Sequence, residues 1–306
     1  MNPDLFPELG APAAFARYEA VRHRLPNAVF PSQARRAANL GEISESIDVF
    51  VFDAFGVLNV GETPIAGARE RVAALVAAGK RCFVVTNAAS YGKAAAIAKF
   101  RRLGFDFPDE CIVASRMAAE RSLTAYPDAR RWGVAAPPGF DTAELAVTAT
   151  VLRDEPESYE TVDGFLLLSS SDWSPMRQSM LEDAMRQRAR PVVVANPDLV
   201  APREDGFSTE PGWAGHRLAD IDETRVTFHG KPFGSVYDIV RERLGIDIAP
   251  HRFCMVGDTL HTDILGGASQ GWKTALVSDH GLLRTMDIDV AITQSGIVPD
   301  FIVPSI

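Results

Sequence analysis

Four stretches of the chain each run an apolar segment into a polar ending: IDVFVFD (47–53), RCFVVTN (81–87), VTFHGKP (226–232) and RFCMVGD (252–258). Runs that do not alternate apolar with polar residues read as strands buried on both faces, which belong in parallel sheets covered by helices. The intervening segments fit that reading. GARERVAALVAAGK sets Val72, Leu75 and Val76 on one helical face and stops at Gly79. SYGKAAAIAKFRRLGF is the next helix, and ECIVAS (110–115) is a strand whose Ser115 is placed to cap the helix RMAAERSLTAY. GSVYDIVRERLG aligns Val236, Ile239, Val240 and Leu244, and KTALVSD follows as a strand after a helix near ILGGASQGW. The alternation predicts an α/β fold with a Rossmann-like, doubly wound parallel sheet.

A second set of such elements lies mid-chain. RWGVAAP, GFLLLSS and PVVVANPD read as strands. SPMRQSMLEDAMRQRARP reads as a helix opened by Ser174 and Pro175, with Met176, Met180 and Met185 spaced to face its core. The predicted organisation is a helical extension at 1–46, a core at 47–116 and 225–306, and an inserted α/β cap domain at 117–224. A chain of 306 residues has room for both units. The extension breaks at Pro26 and Pro31, and its Phe6, Phe15 and Leu25 suit either an extra layer on the core or a homodimer contact.

A net charge of −9 argues against a nucleic-acid surface, which needs clustered Lys and Arg. Cys82, Cys111 and Cys254 are far apart in apolar settings and read as buried, reduced thiols, which suits a cytoplasmic protein. MNPDLFPELGAPAAF lacks the basic start and apolar centre of a signal peptide. No run approaches the roughly 18 apolar residues of a membrane span.

Ligands of parallel sheets bind at the carboxyl ends of the strands. Here those ends carry Asp53, Thr86 with Asn87, Lys231, and Asp258 followed by Asp263. Two or three carboxylates suit Mg²⁺, which takes oxygen ligands. Lys231 can balance a phosphate and a nucleophilic carboxylate, and the Thr86 hydroxyl can hold phosphoryl oxygens. Asp53 can then attack phosphorus to give an aspartyl-phosphate that water hydrolyses. Singly, each residue has a plainer role: Asp53 as a turn or helix cap, Thr86–Asn87 as a turn, Lys231 as a solvated lysine, Asp258 and Asp263 as first-turn acids of a helix. Their joint occurrence in this order favours a site. His229 and His261 read as packing or loop residues.

The motifs DAFGVL (53–58), VVTNAAS (84–90), HGKP (229–232) and VGDTLHTDILGG (256–267) resemble the haloacid dehalogenase (HAD) superfamily, and PIAGA (64–68) and ANPDLVAP (195–202) add to the likeness. The resemblance covers about residues 47–285. It points to the branch of p-nitrophenylphosphatase-like and sugar-phosphatase-like proteins with a large α/β cap. It implies that Asp53 is the nucleophile and a metal ligand, Asp258 a direct ligand, and Asp263 a support of the metal shell. It further implies that Lys231 balances charge, that Thr86 and Asn87 hold phosphate and nucleophile, and that Asn196 and Asp198 contact substrate.

One position departs from the family. Residue 55 is Phe55, where the resembling phosphatases carry a second aspartate that protonates the leaving oxygen and later activates water. Such help is typically worth about 10²–10⁴ in rate. The Phe55 backbone carbonyl can still serve as a metal ligand. Three readings compete. The first is a Mg²⁺-dependent phosphohydrolase of a small phosphorylated metabolite, using a good leaving group or a proton from Glu62, Asp172 or Asp198. The second is a non-catalytic module that binds a phosphorylated ligand. The third is a dehalogenase, whose branch also has an aromatic residue here; retention of Asp258 and Asp263 and the mid-chain cap weigh against it. A phosphonatase is set aside, because residues 117–224 contain no lysine. Arg116, Arg121, Arg130 and Arg131 either attract an anionic substrate at the cap entrance or form a solvated face. The stretch with Trp213 and His216 departs from the branch, so sugar phosphates, nucleotides and small organic phosphates all stay open.

Overall fold

The computed structural model describes residues 10–203 and 206–306, so the expectations for Phe6 and the stretch before Gly10 lie outside the described residues. A seven-stranded parallel sheet forms the core. Its order is Arg35–Arg36, Phe301–Val303, Lys273–Val277, Phe253–Gly257, Val49–Phe52, Arg81–Thr86 and Ile112–Ala114. The chain winds away from Val49–Phe52 in both directions, so the order reverses between that strand and Phe253–Gly257. That crevice is where doubly wound sheets bind ligands.

The unbroken apolar runs follow from covering the sheet twice. Phe50 and Phe52 face a cluster with Val72, Leu75, Ile97 and Phe100 from the helices Ala68–Ala77 and Lys93–Arg102. Val49 and Val51 face the opposite cluster with Val236, Tyr237, Ile239 and Val240 from the helix Ser235–Leu244. Each fully buried side chain of this size contributes roughly 1.5–3 kcal/mol by leaving water.

The cap is built on a second parallel sheet, ordered Val226–Phe228, Val192–Val194, Gly164–Leu167, Arg131–Ala135 and Thr148–Val151. The strand Val226–Phe228, expected to reopen the core, is an edge of this cap sheet. Its ladder to Val192–Val194 outranks sequence order, so the chain returns to the core only after Phe228.

Other local expectations are corrected. Val76 is 54% exposed, so the helix Ala68–Ala77 turns only Val72 and Leu75 inward with its first alanine. Met176, in the first turn of Pro175–Gln187, is exposed, while Met185 is buried and Met180 packs beside it. Cys111 is only half-buried. Ser115 is the first residue of its helix and not its cap; its hydroxyl donates to the Asn87 carbonyl at 3.0 Å.

The N-terminal segment chooses the layer role for its described part. The helix Ala11–Ala20 sets Ala14, Phe15 and Tyr18 against Leu260, Ile264 and Leu265, with Leu25 in the same cluster. It then donates the two-residue edge strand Arg35–Arg36, which the apolar pattern does not announce. Among the described residues no helix is long and apolar enough to cross a membrane.

Candidate active site

Asp53 follows the last residue of the central strand, and its backbone N–H donates to the Val256 carbonyl at 2.8 Å. That bond carries the ladder one step further and sets Asp53 beside Asp258, which follows the neighbouring strand. The Lys231 ammonium, 1% exposed, lies 2.5 Å from Asp53 Oδ1 and 2.7 Å from Asp263 Oδ1. Ala54 N–H donates to Asp53 Oδ1 at 2.6 Å. Asp263 Oδ2 accepts from the N–H groups of Asp258 and Thr259, both at 3.1 Å. Asp258 accepts from Leu282 N–H at 2.8 Å and from the Thr259 hydroxyl at 3.0 Å.

Backbone room for this cluster comes from glycine. A Cβ on Gly257 would sit 2.0 Å from the Cβ of Asp263. Gly56 turns with φ +75°, and a Cβ there would meet Asp258 at 2.6 Å.

Asp53, Asp258 and Asp263 each offer a carboxylate oxygen, all within 4.8 Å of one another. One lysine faces three carboxylates, Asp258 and Asp263 buried and Asp53 half-buried, so negative charge is left over. Burial, reinforced by the neighbouring carboxylates and opposed by Lys231, pushes Asp53 and Asp258 above the usual carboxylate range. Burial alone would lower Lys231, but Asp263 and Asp53 outweigh it and hold the ammonium above its ordinary value. A hard-oxygen set with surplus negative charge fits a divalent cation.

A cavity of about 120 Å³ opens onto Asp53 and Asp258. It is also lined by Phe55, Thr86, Asn87, Asn196 and Asp198. Thr86 Oγ1 accepts from Ala88 N–H at 3.2 Å. Asn87 spends its carboxamide on its neighbours: Oδ1 accepts from Lys231 N–H at 2.8 Å, and Nδ2 donates to the Lys231 carbonyl and to Asp198 at 3.0 and 2.8 Å. It thus ties the Lys231 loop and the cap to the core. Asn196 Oδ1 accepts from Asp198 N–H at 2.9 Å, and its Nδ2 donates to Glu210 at 3.0 Å. Burial pushes Asp198 up to about 8, helped by Asp53 and Asp263 and opposed by Lys231 and Asn87.

Several sequence candidates lie elsewhere. Asp172 pairs with Arg153 and Arg177 and does not line the cavity. Arg116 is buried against Glu120, Glu144 and the Phe140 ring, so its charge is already matched. Neither it nor Arg121, Arg130 and Arg131 lines the cavity. Glu62 does line it, with its carboxylate 3.4 Å from the Lys99 ammonium. His229 contacts Ser235 at 3.0 Å, and burial lowers it to about 4. His216 stacks on Phe228 within the cap helix Pro211–Asp222. Tyr18, Lys99 and Glu210 also line the cavity, and no motif of the chain marks them.

The site is a cluster of three carboxylates around one lysine at the switch point of a capped, doubly wound sheet, an arrangement that suits a hydrolase. The comparisons agree with that class. The profile described as haloacid dehalogenase-like hydrolase matches residues 50–146, and a HAD-hydrolase-like profile matches 228–306. Human glycerol-3-phosphate phosphatase is 31% identical, covering 85% of this chain and 89% of that protein. A Cytophaga hutchinsonii structure described as a possible sugar phosphatase superposes with a TM-score of 0.77 at 25% identity, covering 89% of this chain and 98% of that one. A Mycobacterium tuberculosis glycerol phosphate phosphatase, solved with magnesium, gives 0.66 at 20% identity, covering 88% and 76%. The chain belongs to the haloacid dehalogenase-like hydrolases, in the phosphatase branch with a large α/β cap.

Proposed function

We propose that this protein is a Mg²⁺-dependent phosphatase of a small, hydroxyl-bearing phosphate monoester. The observation that carries the reading is the Lys231 ammonium held between Asp53 and Asp263 beside Asp258. Asp53, Asp258 and the Phe55 carbonyl would hold the cation, with Asp263 bracing the shell. When bound, the cation neutralises charge on the phosphoryl oxygens.

Asp53 attacks phosphorus, and the ester oxygen leaves with a proton. Phe55 cannot supply that proton. Of the three side chains named from sequence as alternatives, Asp172 is outside the cavity and Glu62 is paired with Lys99. Asp198 lines the cavity, and its high pKa keeps it largely protonated at neutral pH. It gives the proton to the leaving oxygen, and the ionised Asp198 then takes one from the water that attacks the aspartyl-phosphate. Phosphate departs and Asp53 is restored. The small cavity supports a compact substrate. The 31% identical glycerol-3-phosphate phosphatase supports the same class.

The test is phosphate release from glycerol 3-phosphate and from p-nitrophenyl phosphate. Both activities are expected to fall to background on chelation and in Asp53→Asn. Asp198→Asn should cost about 10²–10⁴ on glycerol 3-phosphate and far less on the nitrophenyl ester, whose leaving group needs no proton. Turnover that survives Asp53→Asn would refute the nucleophile.

A further inference from the structure

Tyr18 lies 35 residues ahead of the nucleophile, in a segment that no motif marks. Its ring is 2% exposed, yet it lines the catalytic cavity with Asp53, Asn196 and Asp198. We propose that Tyr18 completes the active site from the N-terminal helix, its hydroxyl donating a hydrogen bond to a hydroxyl of the substrate's leaving group.

Three observations carry this. First, the phenol oxygen accepts from Leu199 N–H at 3.0 Å, and among the described residues no group accepts its proton. A buried O–H donor is costly to leave unsatisfied, so the proton is directed at a cavity occupant. Second, the ring is held in place. It stacks on His261 at 4.9 Å with the planes 7° apart. Phe15 meets the same imidazole edge-on at 5.0 Å, and His261 Nε2 lies 2.5 Å from the Glu19 carboxylate. Third, Leu199 N–H fixes the phenol to the cap loop next to Asp198, the residue assigned above to the leaving oxygen, so the hydroxyl is matched to the leaving group.

The phenol acts as a neutral donor. Burial, together with Asp198, Asp263 and Asp258, holds it protonated well above its ordinary range. A phenolate beside those carboxylates would be strongly disfavoured, so Tyr18 does not replace the missing proton donor. It is a specificity residue, tying a segment outside the catalytic motifs to the choice of substrate.

The inference rests on the phosphatase reading, and calorimetry separates the two. In the Asp53→Asn protein with Mg²⁺, glycerol 3-phosphate and inorganic phosphate are titrated with and without Tyr18→Phe. That change keeps the ring stack and removes only the hydroxyl. The expected result is about tenfold weaker binding of glycerol 3-phosphate, with phosphate affinity within about twofold. Equal weakening of both ligands, or no weakening of glycerol 3-phosphate, overturns the proposal. Thermal melting of Tyr18→Phe should fall modestly, because the buried Leu199 N–H loses its acceptor; a drop that takes phosphate affinity down with it would assign the hydroxyl a structural role and overturn the proposal. Binding by this protein without phosphate release by the unsubstituted enzyme would instead sink the phosphatase reading while leaving the Tyr18 contact standing. Failure of either ligand to bind removes both.

Discussion

At position 55 an aromatic ring stands over a buried cation. The Lys99 ammonium lies 4.3 Å from the Phe55 ring centre and 3.4 Å from Glu62. Such a contact is worth about 0.5–2 kcal/mol when shielded from water. A carboxylate at 55 would face the same ammonium, which would hold it ionised and make it a weaker proton carrier. Phe55→Asp in the Asp198→Asn background is therefore expected to restore glycerol 3-phosphate turnover only in part, by about 10². A double variant as slow as Asp198→Asn alone would mean that a carboxylate at 55 cannot carry the proton beside Lys99. The pH profile checks Asp198 directly. A group that must be protonated to act loses its effect as pH rises through its pKa, so turnover of an alkyl phosphate should fall above about 8. That limb should be absent in Asp198→Asn.

Among the elements, the turn Leu260–Ile264 does the most to shape the site. It is wound wider than an α-helix: both Asp263 and Ile264 donate to the Thr259 carbonyl, at 3.0 and 3.3 Å. Such turns recur at functional sites because they re-aim one side chain. Here the turn swings Asp263 back over Gly257, against Lys231. Gly257→Ala must push that carboxylate off its partners. The expected loss is about 1–3 kcal/mol or more, seen in thermal melting, with Mg²⁺ affinity falling in calorimetry. A variant that melts like the parent and binds Mg²⁺ equally well would show that the close approach relaxes freely. The outer face of the same turn carries Leu260, His261 and Ile264, against which the N-terminal helix docks. One turn thus orients both the acid and the phenol.

Over the whole molecule, burial of acid is the main electrostatic strain. Asp53, Asp198 and Asp258 all have folded-state pKa values raised above the ordinary carboxylate range. A raised carboxylate gives its full stability below the unfolded value near 4, and that stability is lost as pH rises through the folded value. The metal-free protein should therefore melt at lower temperature at pH 8 than at pH 5. Saturating Mg²⁺ should recover stability, by about 2.7 kcal/mol at a hundredfold excess over the dissociation constant. The gain should be larger at pH 8, where the carboxylates are ionised. Equal Mg²⁺ effects at both values would contradict a site built from these acids. Cap and core meet over this charge, joined by Asn87 between Lys231 and Asp198.

The sequence by itself determined the fold class. A strand buried on both faces must be apolar at every position, and IDVFVFD, RCFVVTN and RFCMVGD declare this without any partner in view. Polar residues at the ends of such strands gather at one edge, so Asp53, Thr86 and Asp258 are legible as neighbours from the sequence alone. Contacts that depend on packing were not. Val226–Phe228 reads as apolar for either sheet, and only its ladder to Val192–Val194 assigns it to the cap. Val76 and Met176 fit a helical stripe, but the width of the stripe that a neighbour covers is set in three dimensions. Arg116 carries charge in the sequence and loses its availability only through Glu120 and Glu144. Tyr18 gives no signal at all, because a lone tyrosine on an amphipathic helix reads as core. It reaches the cavity because the fold docks that helix on the turn behind Asp263, a long-range contact that local pattern does not encode.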